Sequence, residues 1–352
     1  MTSLRRIALC SAMLVARPAL ADDEPPTTPD EPRRPTGEFS VGVGFNPDDG
    51  VIAGASVRQP RLFGTHHRLA LSADISALRQ RVGLVYDAPD LLGTGLDLTT
   101  ELFSNRVAYP TFARAGTGGQ ATLGHKLDRA TTLFVRYRVE AVNVDGPEAL
   151  ARGESAPPPG GAAMYTWLGV GLRYDTRDQP LATRGTYLEA LGESSDPRLG
   201  SDAKLMRLSA RLAHATPLGP FTLRLGGRAS YVTGPGGVPF SERLQYDGHA
   251  EVRGYGIGSL NDGGANLAAS GRAELEVPLI PRLGLSVAGF FDAGVRYNAD
   301  ATWGPVGWRT VRSAGASIIW RSPIGPLRFD WARTLDGDRR DRVFLFGLGT
   351  GF

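Results

Sequence analysis

The stretch Leu133-Phe134-Val135-Arg136-Tyr137-Arg138-Val139-Glu140-Ala141 decides the fold. Leu133, Val135, Tyr137, Val139 and Ala141 fall on one parity, and Arg136, Arg138 and Glu140 on the other. Side chains alternate faces along a strand, so this period of two describes a two-faced β-strand. The pattern recurs further along the chain. Met206, Leu208, Ala210 and Leu212 oppose Arg207, Ser209 and Arg211. Phe221, Leu223, Leu225, Ala229 and Tyr231 oppose Thr222, Arg224, Arg228 and Ser230. Ala269, Ala273, Leu275 and Val277 oppose Ser270, Arg272, Glu274 and Glu276. In all, sixteen segments read as strands: 38–46, 51–58, 67–77, 79–87, 94–104, 113–126, 130–143, 164–174, 185–193, 202–214, 220–232, 267–276, 282–292, 310–320, 325–334 and 342–352.

A soluble sandwich would also alternate, with its charged face wet. Three features favour a membrane. Arg5 and Arg6 precede an apolar run, Ile7 to Ala16, that is too short to span a bilayer, and Ala19-Leu20-Ala21 offers small residues for cleavage. Residues 1–21 therefore read as an export signal. Many segments reach the 9–11 residues that cross a bilayer at a tilt. Their number is even, as in closed single-chain bacterial barrels. In lipid each backbone N–H and C=O must be paired within the protein, so a sheet there closes on itself. The expected fold is an all-β transmembrane antiparallel barrel of sixteen strands over 38–352, behind a Pro- and acid-rich periplasmic lead at 22–37. Its expected location is the outer membrane of a Gram-negative-type cell.

Composition narrows the function. The formal net charge is +3, Lys126 and Lys204 are the only lysines, and no basic, aromatic-interleaved patch suggests nucleic acid. Cys10 is the only cysteine and lies in the signal, so the mature chain would carry no thiol or cysteine-based metal site. His66 and His67 share a turn, while His125, His214 and His249 lack ligand spacing. Gly254, Gly256 and Gly258 sit in no strand–helix–strand unit, so they are no dinucleotide fingerprint. The charge run Asp338 to Arg342 reads as solvated ions in a turn. We expect no catalytic residues, metal or cofactor.

The longest gap between segments, Thr233 to Asn266, holds Val252-Arg253-Gly254-Tyr255. Two strands on stands Phe290-Phe291-Asp292-Ala293-Gly294. Gly171 to Asp178, with Pro180 and Gly185, and Ser322 to Asp330 complete a set of four motifs in order. Together they resemble the signatures of the BamA/TamA superfamily of outer-membrane assembly and translocation barrels, the bacterial surface antigen family. There the first motif lies in the long loop between strands eleven and twelve. The resemblance covers the chain from about residue 165 onward.

The resemblance implies a long loop folded into the lumen. Phe290 and Asp292 lie opposite Leu285, Val287 and Phe291; if the apolar set faces lipid, Asp292 faces the lumen and needs a cation there. Arg253 can supply a bidentate partner, Gly254 a close approach to the wall, and Tyr255 packing beside it. We therefore expect Val252, Arg253, Gly254, Tyr255 and Asp292 to lock the loop, supported by the strand-motif residues Phe290 and Gly294. A solvated Arg253 on an outer loop is the alternative. Phe344, Phe346, Leu348 and Phe352 share one face of the last segment and resemble the terminal signal read by barrel-assembly machinery.

The function this implies is protein insertion, translocation or outer-membrane assembly. The implied partners are outer-membrane lipid, client outer-membrane or secreted proteins, a separate periplasmic partner, and the barrel-assembly machinery for the chain's own insertion. The family's periplasmic POTRA modules would not fit in residues 22–37, so a POTRA-less member is expected. The competing readings are a passive pore, biased toward anions by Arg136, Arg138, Arg207, Arg211, Arg224, Arg228 and Arg272, and a structural surface antigen.

Overall fold

Each of the sixteen expected segments forms a β-strand hydrogen-bonded antiparallel to its chain neighbours. They are β1 (Glu38–Asn46), β2 (Gly50–Gln59), β3 (Arg68–Ile75), β4 (Arg79–Ala88), β5 (Leu96–Ala108), β6 (Ala113–Lys126), β7 (Thr131–Asp145) and β8 (Gly161–Asp175). There follow β9 (Gly185–Ser195), β10 (Leu205–Leu218), β11 (Phe221–Thr233), β12 (Leu267–Ile280), β13 (Leu285–Asn298), β14 (Gly307–Ser322), β15 (Gly325–Thr334) and β16 (Arg342–Leu348). β16 returns to pair with β1, so the sheet is a closed barrel. This computed structural model describes residues 37–46, 49–110, 112–145, 161–178, 182–245, 248–256, 263–322, 325–336 and 342–348. The export signal, the lead up to residue 36, Pro180, Ile257, Gly258, Pro323, Ile324, the run 338–341 and Phe352 lie outside them.

The alternation read from the sequence is the inside–outside division of the wall. Phe39 and Val41 of β1, Leu133, Val135 and Tyr137 of β7, Leu208 and Leu212 of β10, and Phe344 of β16 are exposed on the outer face. Glu140, Glu274, Asp292, Arg328 and Asp330 are buried on the inner one. An apolar surface that encircles a protein is untenable in water; facing acyl chains it is the ordinary exterior of a membrane barrel.

Strand ends differ from the expected ones where short 3-10 turns take up residues. β5 starts at Leu96 rather than 94 because Leu91–Gly93 close a turn in which Asp90 Oδ1 accepts the Gly95 amide at 2.7 Å. β13 starts at Leu285 because Pro281–Leu283 turn and Gly284, at φ 66°, reverses the chain. β7, β8 and β14 run longer than expected, at 15, 15 and 16 residues.

Pairing is uneven around the ring. β6 and β7 are in register from Ala113↔Asp145 to Lys126↔Thr132, and β13 and β14 from Leu285↔Trp320 to Asn298↔Gly307. Between β16 and β1, among the described residues, a single pair is in register, Phe346↔Phe45. On the outer face the Phe346 ring lies 4.8 Å from Phe329 of β15.

Candidate functional site

The described residues of the segment between β11 and β12 do not stand off into solvent. Long loops of outer-membrane barrels face outward, yet residues 248–255 lie against the inner wall formed by β12–β15. Val252 and Arg253 are buried, at 0 and 3 % exposure. The backbone turns through a short 3-10 segment, Gly248–Ala250, and Gly254 adopts φ +98°. That angle, rather than crowding, is what calls for glycine: a Cβ there would meet only ordinary contacts, 3.4 Å from Thr334 and 3.5 Å from Ala332.

Arg253 enters a nest of carboxylates. Its Nε donates to Asp292 Oδ2 at 2.7 Å and its Nη2 to Asp292 Oδ1 at 2.7 Å, a bidentate pair. The Arg253 amide donates to the same carboxylate at 3.1 Å. Nη1 donates to Glu274 of β12 at 3.0 Å, and Asp330 of β15 lies 3.6 Å away. Arg328 of β15 closes the cluster, donating from Nε to Asp330 at 2.8 Å and from Nη1 to Glu274 at 3.1 Å. Two guanidiniums thus meet three carboxylates, a third guanidinium, that of Arg224 on β11, lies 3.7 Å from Glu274, and the loop and three wall strands join in one network. Buried charges of this kind are tolerable only because each is paired and hydrogen-bonded.

The apolar parts of the site are fitted to this network. The Arg253 guanidinium stacks 3.5 Å above the centre of the Phe290 ring. Phe290 in turn occupies the space over Gly315 of β14, where any Cβ would sit 2.4 Å from the ring. Gly294 leaves room for Val252, whose Cγ2 would be 2.9 Å from a Cβ at that position. Val252 packs on Val311 with Tyr255 beside it, and the Tyr255 hydroxyl donates to the Arg312 carbonyl at 3.1 Å. The spacing Phe-x-Asp-x-Gly therefore puts three inward positions of β13 in succession under the loop: a ring to stack on, a carboxylate to bind, and a gap to fill.

His249 steadies the turn. Its Nδ1 accepts the Gly254 amide at 3.1 Å, while the carbonyls of His249 and Glu251 accept from Arg272 at 2.8 and 3.3 Å. Burial, with Arg272 and Arg79 nearby, lowers the His249 pKa to about 3, so the ring is neutral at pH 7.

The same loop is moored a second time, on the far wall, by loop residues the sequence reading did not single out. Phe240 enters an apolar cluster with Phe112, Val142, Val144, Tyr165, Trp167 and Leu205, and meets Phe112 edge-on with centroids 4.7 Å apart. Glu242 is buried and accepts from Arg114 of β6 at 3.0 Å and from Arg207 of β10. Arg114 also donates to the Ser241 carbonyl at 2.9 Å, and the hydroxyls of Tyr165 and Ser241 are 2.8 Å apart. Arg207 lies over the Trp167 ring at 4.0 Å. The loop is thus a strap across the lumen, tied to β6, β8 and β10 at one point and to β12, β13 and β15 at the other.

At the chain end, Phe344 is half exposed on the outer face and Phe346 pairs toward β1. Leu348 closes the described part of β16.

Comparison with known proteins places this architecture. Outer membrane protein assembly factor BamA of Nitratidesulfovibrio vulgaris is 24% identical over 338 residues, covering 90% of this chain and 42% of that protein. BamA of Neisseria meningitidis serogroup B is 27% identical over 384 residues, covering 91% and 47%. The chain thus spans less than half the length of these relatives. Among solved structures, BamA of Haemophilus ducreyi lacking POTRA domains 1–3 superposes with a TM-score of 0.74 at 20% identity, over 90% of this chain and 70% of that one. CdiB from Acinetobacter baumannii gives 0.63 at 17% identity, over 89% and 59%. The model of the Omp85 superfamily domain matches residues 61–352. The chain is an outer-membrane β-barrel and belongs to the Omp85 superfamily.

Proposed function

We propose that this barrel takes part in inserting, translocating or assembling proteins at the outer membrane, with its β1–β16 seam as the working edge and the strap as the element that holds the lumen closed. The observation that carries the reading is a tied-down loop together with a seam at which, among the described residues, one pair is in register. A strand edge that gives up one rung offers unpaired N–H and C=O groups to an incoming strand. Such a strand would belong to a client outer-membrane or secreted protein. The named assembly factors among the relatives support the same reading. Arg253 and Asp292 act in it as the lock, with Phe290 and Gly294 as its seat, and the aromatic side chains of β16 as part of the edge and of the signal that brings the chain to its own assembly machinery.

The passive-pore reading draws less support. Arg138 is paired with Glu140 at 2.6 Å, Arg207 with Glu242, and Arg224 with Glu276, while Arg272 is bound to loop carbonyls. Three of the seven arginines are therefore neutralised and a fourth is occupied by the loop, and the strap crosses the channel.

A disulfide between β1 and β16 tests the reading. The only cysteine of the sequence is Cys10, so F45C/F346C can be introduced with little interference. In proteoliposomes, insertion of a urea-denatured eight-stranded barrel is followed by its heat-modifiable gel migration. Oxidation should abolish insertion and reduction restore it. Equal activity in the two states would show that the seam does not open, and no activity in either state, with wild type also inactive, would remove the proposal.

A further inference from the structure

Of the seven arginines on the inner face that the sequence suggested as an anion lining, four are matched to carboxylates or loop carbonyls. Three are not. Among the described residues Arg136, Arg211 and Arg228 form no ion pair, and the Nε of Arg136 is buried without a hydrogen-bond partner. Arg211 and Arg228 stand directly opposite each other across the β10–β11 ladder. Like charges at facing cross-strand positions are destabilising, and every other arginine of the set has a counter-group. Their neighbours do not supply one. Glu189 is in register with Arg211, but its Oε2 accepts from both Arg173 at 2.7 Å and the Tyr187 hydroxyl at 2.8 Å, and it makes no ion pair with Arg211 among the described residues. Asp175 is taken by Arg177, which binds both its oxygens, at 2.9 and 2.8 Å. Arg136 and Arg173 both lie over the Phe134 ring, at 5.4 and 5.3 Å, so an aromatic platform fixes the near edge of the group.

The result is a patch of five guanidiniums and two carboxylates on the inner wall of β7–β11. It keeps a surplus of three positive charges on side chains that are partly shielded from solvent. We propose that this patch is an anion site, in which Arg211 and Arg228 grip a phosphate group from two sides and Arg136 borders it. Guanidinium forks match the oxygens of a tetrahedral phosphate better than they match a halide. The shared chemistry admits a free phosphate ion or the phosphate of a lipid headgroup. This inference does not depend on how the seam behaves.

The test uses the intact barrel in detergent. Its thermal unfolding midpoint is measured while inorganic phosphate replaces chloride at constant ionic strength. Phosphate should raise the midpoint saturably, by linkage to the folded state. In R211Q/R228Q the apparent affinity should fall by about tenfold or more, as expected when charged hydrogen bonds are lost. Heat-modifiable gel migration checks that the variant is folded, and removal of two facing like charges favours that. If it does not fold, R211K/R228K carries the comparison: the charges stay and the forks go, so a weaker phosphate affinity supports the site and an unchanged one overturns it. Glycerol phosphate is titrated in parallel. Tighter binding of glycerol phosphate assigns a headgroup, and tighter binding of inorganic phosphate assigns the free ion. The proposal falls if neither gives a saturable rise, if R211Q/R228Q responds as wild type does, or if only an acidic peptide such as oligoglutamate stabilises the barrel.

Discussion

The two moorings of the strap are built from the same elements, an ion pair, a cation over a ring and an apolar plug, but charge sits in opposite places. At the β12–β15 wall the loop brings the cation, Arg253, into a wall of carboxylates. At the β6–β10 wall the loop brings the anion, Glu242, to two wall arginines. The first is sealed: Arg253 is 3 % exposed and Asp292 0 %. The second is looser, because the side chains of Arg114 and Arg207 are 20 and 22 % exposed and each has another acid nearby, Glu140 and Glu193. Removing a partner from the sealed site strands buried charge, whereas removing one from the looser site leaves the wall arginines with alternatives. The sealed mooring should therefore dominate stability, and the looser one should set how readily the strap swings.

The sharpest way to break this contrast is R253A. It leaves Asp292 and Glu274 short of a cation and should cost about 3–5 kcal/mol, read as a lower urea midpoint in detergent and faster proteolysis within 234–266. Next comes G294A, whose Cβ would press on Val252 and should cost about 1–3 kcal/mol; V252A introduced with it should recover part of that loss. Acid provides a third test. His249 is neutral in the folded barrel, with its pKa lowered to about 3, and protonates near 6.5 when unfolded. Its contribution is therefore complete above about pH 6.5 and is lost as pH falls toward 3, amounting to about 2 kcal/mol at pH 5. Comparing wild type with H249N across pH 5–8 should show a shallower decline in the variant. E242Q, at the looser mooring, should cost about 1–2 kcal/mol and raise proteolysis near 240–245 while leaving the Arg253 end protected. A loss equal to that of R253A would abolish the distinction. Y255F removes one partly exposed hydroxyl bond and should cost about 1 kcal/mol or less.

Much of this was legible in the sequence for a plain reason. A strand that touches lipid on one side and ions on the other must alternate, and parity alone gave the inner position of Asp292 and of Glu274. The four motifs placed Arg253 in the correct loop. What could not be read is which inward charges meet. Glu242 is 128 residues from Arg114 and 35 from Arg207, and only closure of the ring and the path of the loop bring them together. Arg328 and Asp330 stood in a quoted motif without a role, because their partner Glu274 lies on the far side of β13 and β14. The inward arginines formed one uniform face in sequence and separate in three dimensions into paired and unpaired groups. Strand ends at 94 and 282 failed because Asp90 and Gly284 adopt left-handed conformations that close the turns.

The placement of the strap's ties has a mechanical consequence. The bonds described for it all fall on the arc from β6 to β15, and the joint between β16 and β1, with one pair in register among the described residues, lies outside that arc. The barrel is a closed ring with a brace across the side away from that joint. Lateral pressure from the bilayer runs around the circumference of such a ring as compression, carried from strand to strand and through the Phe346–Phe45 rung. On the proposed reading the ring spreads at that joint without loosening one of those ties, so widening the wall and unblocking the channel would be separable motions.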